Sequence, residues 1–255
     1  MNTKTFEPVT FSEMNGVRYL HLGTPWIQGA MRIKKPYEIE LEYAQQMMSW
    51  LLFLDPTHAK TLQLGLGTGT LTQFCNRLND SIQTVAVEIN PAVIVAAQSM
   101  FGLETQSPRM SIVQEDALQF AKSFSNLESF DSIQVDVFNG EASGPAINSA
   151  EFYQGCFNSL KPVGIMTVNL FSRHPSFSKN INNICDAFNN RVLLFKEVHD
   201  CNVIAIAFKG PPLEINWKEL EKRAQFIKDK WGIKTKKWVK QLKQNNVQPR
   251  DKLVI

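Results

Sequence analysis

The 255-residue chain has little of what marks membrane, secreted or metal-bound proteins. No apolar run approaches the ~18 residues of a membrane span. Cysteine is scarce. Cys75, Cys156, Cys185 and Cys201 lie far apart without C-x-x-C spacing, which argues against zinc and for reduced thiols packed as small apolar side chains in a cytoplasmic protein. His21, His58, His174 and His199 share no ligand spacing, so no metal is expected. Met1 to Thr10 carries Lys4 and Glu7 but no apolar core, and no secretory signal is expected. There is no internal repeat and no low-complexity segment. What remains is 44% hydrophobic and 20% charged, the balance of one sizeable soluble domain. The net charge of +3 is uneven. From Glu214 to Ile255 there are twelve Lys and Arg against five Asp and Glu, which leaves the rest at −4. Without base-stacking or base-reading machinery this basic stretch reads as a solvated helical face, and nucleic acid is not expected as a partner.

The most informative segment is Leu62-Gln63-Leu64-Gly65-Leu66-Gly67-Thr68-Gly69-Thr70-Leu71, followed by Val85-Ala86-Val87-Glu88-Ile89-Asn90. An apolar run enters a glycine turn, a helical stretch follows, and a second apolar run ends in a carboxylate. Glycines let backbone approach a ligand closely, and a carboxylate can accept hydrogen bonds from two ribose hydroxyls. Glu88 stands 19 residues after Gly69, near the ~20 of a ribose-binding acid. The third glycine of the dinucleotide fingerprint is absent, since Leu71, Thr72 and Gln73 follow. A nucleoside without a pyrophosphate, such as S-adenosylmethionine or a relative, fits better than NAD.

Periodicity predicts a short β-region over residues 1–36, with Val17–Leu22 and Trp26–Arg32 as strands. A helix is predicted over Ile39–Leu54, stopped by Asp55-Pro56. Residues 37–212 then alternate. Strands are predicted at Thr61–Leu64, Thr84–Glu88, Met110–Gln114, Ser132–Val137 and Gly164–Leu170. The intervening helices are Thr70–Leu78, one opened by Asn90-Pro91, Ala117–Phe124 and Ser149–Leu160; Phe177–Phe188 follows the last strand. Val192–Glu197 and Val203–Lys209 suit an antiparallel edge pair. The repeated units imply an α/β fold, a parallel sheet with helices on both faces. Gly210-Pro211-Pro212 precedes a basic helical extension over 213–255.

Ligands of such sheets lie beyond the carboxyl ends of the strands. Glu88, Asp116 and Asp136 stand there. Glu88 suits a ribose. Asp116-Ala117 suits an adenine amino group and ring nitrogen. Asp136 suits the sulfonium end, where a carboxylate can attract a cationic amine and take its proton. Each is equally the residue type of a helix cap or a surface acid.

Phe130 to Asp136, then Gly144-Pro145-Ala146, Glu151-Phe152-Tyr153 and Leu160-Lys161-Pro162-Val163-Gly164-Ile165, resemble the spermidine/spermine synthase family. Val87-Glu88-Ile89-Asn90 and Gly29-Ala30-Met31 followed by Tyr43 are similar to further family segments. The resemblance covers roughly residues 17–170. It implies a short N-terminal β-domain, a Rossmann-like fold of the S-adenosylmethionine-dependent methyltransferase type, and usually a dimer or tetramer; a homodimer is expected. It also implies aminopropyl transfer from decarboxylated S-adenosylmethionine to a diamine such as putrescine. On that basis Gly65, Gly67, Thr68, Gly69, Glu88, Asp116 and Ala117 hold the nucleoside. Asp136 is the proton acceptor or its relay, and Tyr43, Gln45 and Asn139 shape the amine side.

The chain departs from the family at several of these positions. Thr68 replaces the acid of the glycine loop, Asn139 replaces the second acid after Asp136, and Arg32 and Gln45 stand where the family has Gln and Glu. Fewer carboxylates weaken the hold on a polycation, and Arg32 invites an anion such as the carboxylate of intact S-adenosylmethionine. Two further readings therefore stand beside aminopropyl transfer: a methyltransferase, or a non-catalytic nucleoside-binding or assembly protein on the same fold.

Overall fold

Alternating apolar strands and helices assemble a seven-stranded sheet in the computed structural model, which describes residues 6–104, 107–138, 149–198 and 201–255. The first three strands, β1 (Val9–Met14), β2 (Val17–Leu22) and β3 (Gly29–Arg32), form a separate antiparallel sheet. Leu20 and Met31 bury against Ala96 and Phe101, which fixes this small sheet on the helix over residues 91–100. The large sheet contains β4 (Lys60–Leu64), β5 (Gln83–Glu88), β6 (Met110–Gln114), β7 (Phe130–Val135), β8 (Leu160–Phe171), β9 (Val192–Leu194) and β10 (Asn202–Lys209). Its order is β6-β5-β4-β7-β8-β10-β9. Strands β4 to β8 are parallel, and β10 runs antiparallel to both β8 and β9. The order reverses at β4, which pairs with β5 on one side and β7 on the other. That switch point leaves a crevice at the strand ends.

Local chemistry explains the helix starts. Asn90 accepts from the Ala92 N–H at 2.9 Å and Pro91 opens α3 (Pro91–Met100), after α1 (Glu42–Met47) and α2 (Thr70–Asn76). Asp116 caps α4 (Ala117–Lys122), and Ser149 caps α5 (Ala150–Ser159) through the Phe152 N–H at 3.2 Å. Helix α6 is Phe177–Ala187. The helix expected over Ile39–Leu54 is shorter. It starts at Glu42 and tightens after Met47 into a 3-10 turn, Met48–Leu52. Every residue from Ala44 to Leu52 is buried. No solvent face holds this stretch to a 3.6-residue period, and the tighter turn seats Trp50 and Leu51 in the core.

The C-terminal extension does not stand apart from this core. It forms β11 (Glu214–Asn216), α7 (Trp217–Trp231), α8 (Trp238–Asn245) and β12 (Lys252–Val254), with β11 and β12 paired. Trp217, Leu220, Ile227, Trp238 and Leu242 belong to the same apolar cluster as Met48, Trp50, Leu51 and Phe74. The α7 lysines Lys218, Lys222, Lys228 and Lys230 lie on its exposed face, as an amphipathic helix requires.

Candidate nucleoside and amine site

The glycine loop ties three strand ends together. The Gly65 N–H donates to the Val87 carbonyl at 2.9 Å, and the Asp136 N–H donates to the Leu64 carbonyl at 2.8 Å. Gly65 has φ +88°, and a side chain there would strike the backbone carbonyl of Asp136. Glycine is thus required twice over, by conformation and by space. Gly65 and Gly67 line a cavity of about 1040 Å³ at the strand ends. Gly69 instead starts α2 and packs against Leu103. Thr68 also faces away from the main cavity. Its hydroxyl bonds that of Thr70 at 2.7 Å, and it packs so closely on Gly29 that a Cβ there would lie 2.6 Å from the Thr68 methyl.

The strand-end acids meet in the cavity. Glu88, Asp116, Ala117 and Asp136 all line it, joined by Glu115, which sequence reasoning did not single out. Glu88 Oε2 accepts from the Leu66 N–H at 3.0 Å and Oε1 from the Asn90 N–H at 2.8 Å. These bonds orient the carboxylate and clamp the glycine loop. Burial raises the Glu88 pKa, opposed by these backbone donors. Asp116 accepts from the Leu118 and Gln119 N–H groups, so it serves as a helix cap while bordering the cavity.

At the other end Asp136 receives hydrogen bonds from Asn169 Nδ2 at 2.9 Å and from the Tyr43 hydroxyl. Burial pushes its carboxyl up to about 6, against those two donors. Burial, then the adjoining Asp136, hold the Tyr43 phenol well above its ordinary range, so it stays a neutral donor. Asn169 stands near the carboxyl end of β8, and the strand-end rule applied to that strand would have found it. Phe138 and Phe171 pack edge to face at 5.1 Å on the same wall. Asn139 lies outside the described residues.

Two expectations change at this end. Arg32 does not line the cavity. Its guanidinium grips Glu40 through two hydrogen bonds, at 3.0 and 2.5 Å, and so does not offer the anion site expected of it. Gln45 does line the cavity, but its amide is already committed. Nε2 donates to the Ile39 carbonyl at 2.7 Å, and Oε1 accepts from the Lys234 N–H at 3.1 Å. Meanwhile Glu42, the first residue of α1, adds a carboxylate to the wall, and Glu40, just before it, lines the wall paired with Arg32. Trp26, Ile27 and Leu22 give the other rim an apolar surface. Among the described residues no group of three or more His, Cys, Asp or Glu side chains suits a metal ion, and no helix is long and apolar enough to cross a membrane.

This crevice and its ring of strand-end acids define a Rossmann-like protein of the methyltransferase fold. The spermine/spermidine synthase domain model matches residues 40–198, and the chain belongs to that family. A polyamine aminopropyltransferase of Chromobacterium violaceum is 33% identical over 248 residues, 97% of this chain and 94% of the relative. A probable spermidine synthase from Corynebacterium glutamicum has a similar fold, with a TM-score of 0.70 at 17% identity over 94% of this chain and 92% of that one. Human methyltransferase-like protein 13, solved with SAH, gives a TM-score of 0.67 at 23% identity over 76% and 93%. The last two likenesses concern the fold.

Proposed function

We propose that this protein transfers an aminopropyl group from decarboxylated S-adenosylmethionine to a small amine, as the name of its Chromobacterium relative describes for that protein. The observation that carries the reading is the Asp136–Tyr43–Asn169 cluster at the end of the cavity opposite the nucleoside acids. Glu88 suits the ribose, because both its oxygens are oriented by backbone donors yet border the cavity. Asp116 and the start of α4 suit the adenine, with Gly65 and Gly67 beneath. The co-substrate supplies a sulfonium, which makes the adjoining carbon electrophilic and leaves as a neutral thioether.

Asp136 and Tyr43 hold the incoming amine in its neutral form against that carbon. The nitrogen lone pair forms the C–N bond, the C–S bond breaks with its electrons on sulfur, and Asp136 takes the proton that nitrogen releases. A carboxyl with a pKa of about 6 is deprotonated at neutral pH and basic enough for that task.

The methyltransferase reading loses the support that Arg32 lent it, since that guanidinium is paired with Glu40 and does not line the cavity. Calorimetric titration with S-adenosylmethionine, its decarboxylated form and methylthioadenosine separates the readings. The decarboxylated form should bind more tightly than the intact one and release methylthioadenosine when an amine is added. Tighter binding of the carboxylated form would overturn aminopropyl transfer. Binding of none would leave an assembly role.

A further inference from the structure

The basic extension makes part of the cavity wall positive. Helix α7 ends at Gly232 with φ +74°, and the chain then turns back across α1. The Lys234 N–H is held by Gln45, and the buried Thr235 hydroxyl donates to the Ala224 carbonyl at 2.5 Å. These anchors fix a single 3-10 turn, Thr235–Lys237. Lys234, Lys236 and Lys237 all line the cavity, and the packing of the next residue, Trp238, on Phe195 after β9 sets this turn toward the sheet edge opposite β5 and β6, whose ends carry Glu88 and Asp116. No carboxylate among the described residues forms an ion pair with any of the three. The exposed Glu42 borders the same end.

A plain diamine is a dication. With one nitrogen at Asp136, its far ammonium would enter a region holding three lysine charges, and like charges in a shared pocket discriminate against a ligand. A carboxylate in that place is attracted instead. An α-amino-acid head carries both signs, and Glu42, which lines the same cavity, supplies a carboxylate for its ammonium. On the transfer reading above, we infer that the acceptor is an amine that also bears a carboxylate, with its reacting nitrogen at Asp136 and its anionic end against Lys236 and Lys237.

Ornithine is putrescine with one carboxylate added, so the pair isolates this group. The full chain, saturated with methylthioadenosine, is titrated with each amine by calorimetry. Ornithine should bind more tightly than putrescine. The double variant Lys236→Gln/Lys237→Gln should shrink that preference by about five- to tenfold, the scale of two partly exposed ion pairs. Lys236→Arg/Lys237→Arg should retain it. The affinity for intact and decarboxylated S-adenosylmethionine should not change in either variant, which distinguishes an acceptor carboxylate from a co-substrate carboxylate. Tighter binding of putrescine by the native protein, or a preference that the Gln variant leaves unmoved, would overturn the inference. Methylthioadenosine release is measured separately. Its absence with both amines would count against transfer, while the binding ratio still reports on the lysines.

Discussion

At Asp136 protonation bears on stability and, on the proposed transfer, on turnover. Its folded pKa is raised to about 6 by burial, above the ordinary carboxylate value of 3.8. The folded state therefore binds the proton more tightly than the unfolded chain does. The stability this contributes is full below about pH 4 and is lost as pH rises through about 6. Asp136→Asn should raise the melting temperature at pH 7.5, by a gain on the order of 1–3 kcal/mol after allowance for the cavity beside the group, and give no gain at pH 4. The same substitution should abolish amine turnover. In the native protein kcat/KM should climb with pH below about 6 and then level, and a flat profile from pH 5 to 7 would remove Asp136 as the base. Tyr43→Phe deletes a donor that lowers the Asp136 pKa, so the acidic limb of the profile should move to higher pH. A purely structural Tyr43 would leave that midpoint in place. Glu88→Ala should weaken nucleoside binding markedly; because Glu88 also holds the Leu66 N–H, a modest loss of melting temperature should accompany it. Unchanged affinity for methylthioadenosine would show that Glu88 is not the ribose ligand.

At the scale of elements, the glycine loop is a joint between β4, β5 and β7. Gly65→Ala should destabilise the protein by roughly 3 kcal/mol or more, because a Cβ meets both an unfavourable φ and the Asp136 carbonyl. Chemical denaturation checks this, and a near-neutral result would mean that the three strand ends are not locked as described. The loop itself and the acid after β5 were legible in the sequence because apolar strand, glycines and acid stand at fixed local spacing, whereas the contact with Asp136 at the end of β7 was not. The caps at Asn90 and Ser149 were legible for the same reason. The helical character of residues 39–54 was read from apolar spacing, but the late start at Glu42 and the tightening after Met47 were not, since a stretch buried from Ala44 to Leu52 has no solvent face to mark them. The fates of Arg32 and Gln45 were hidden too. Glu40 and Ile39 are near neighbours in sequence, but which side chain turns toward which depends on the fold around them, and the Gln45 contact with Lys234 spans 189 residues. Thr68 marks the opposite case. Position in the motif suggested a cavity residue, whereas close packing on Gly29 turns its side chain elsewhere.

For the whole molecule, the extension after Pro212 is a structural wall as well as a source of charge. Arg223 donates to the Leu51 and Leu54 carbonyls at 2.9 and 3.1 Å, and Trp231 Nε1 donates to Leu78 at 3.2 Å. Asn246 exchanges hydrogen bonds with Leu194 on the outermost strand, its Oδ1 accepting from the N–H at 2.9 Å and its Nδ2 donating to the carbonyl at 3.0 Å. The extension thus covers an edge that would otherwise invite pairing with another chain. Composition read this segment as a basic solvated face, because its twelve cations are visible in sequence, whereas where its apolar side docks is not. Burying Trp217, Leu220, Ile227, Trp238 and Leu242 contributes ~1.5–3 kcal/mol for each large side chain. Their sum is on the order of the ~5–15 kcal/mol that separates a folded domain from its unfolded state. A chain ending at Pro212 should therefore lose its cooperative thermal transition, expose apolar surface to a hydrophobic dye, and fail to bind methylthioadenosine. A soluble truncation that melts cooperatively and keeps that affinity would show the extension to be an accessory. Arg223→Ala tests the same docking more gently. It removes two carbonyl bonds while the apolar contacts remain, and a loss of about 1–3 kcal/mol is expected by denaturant titration.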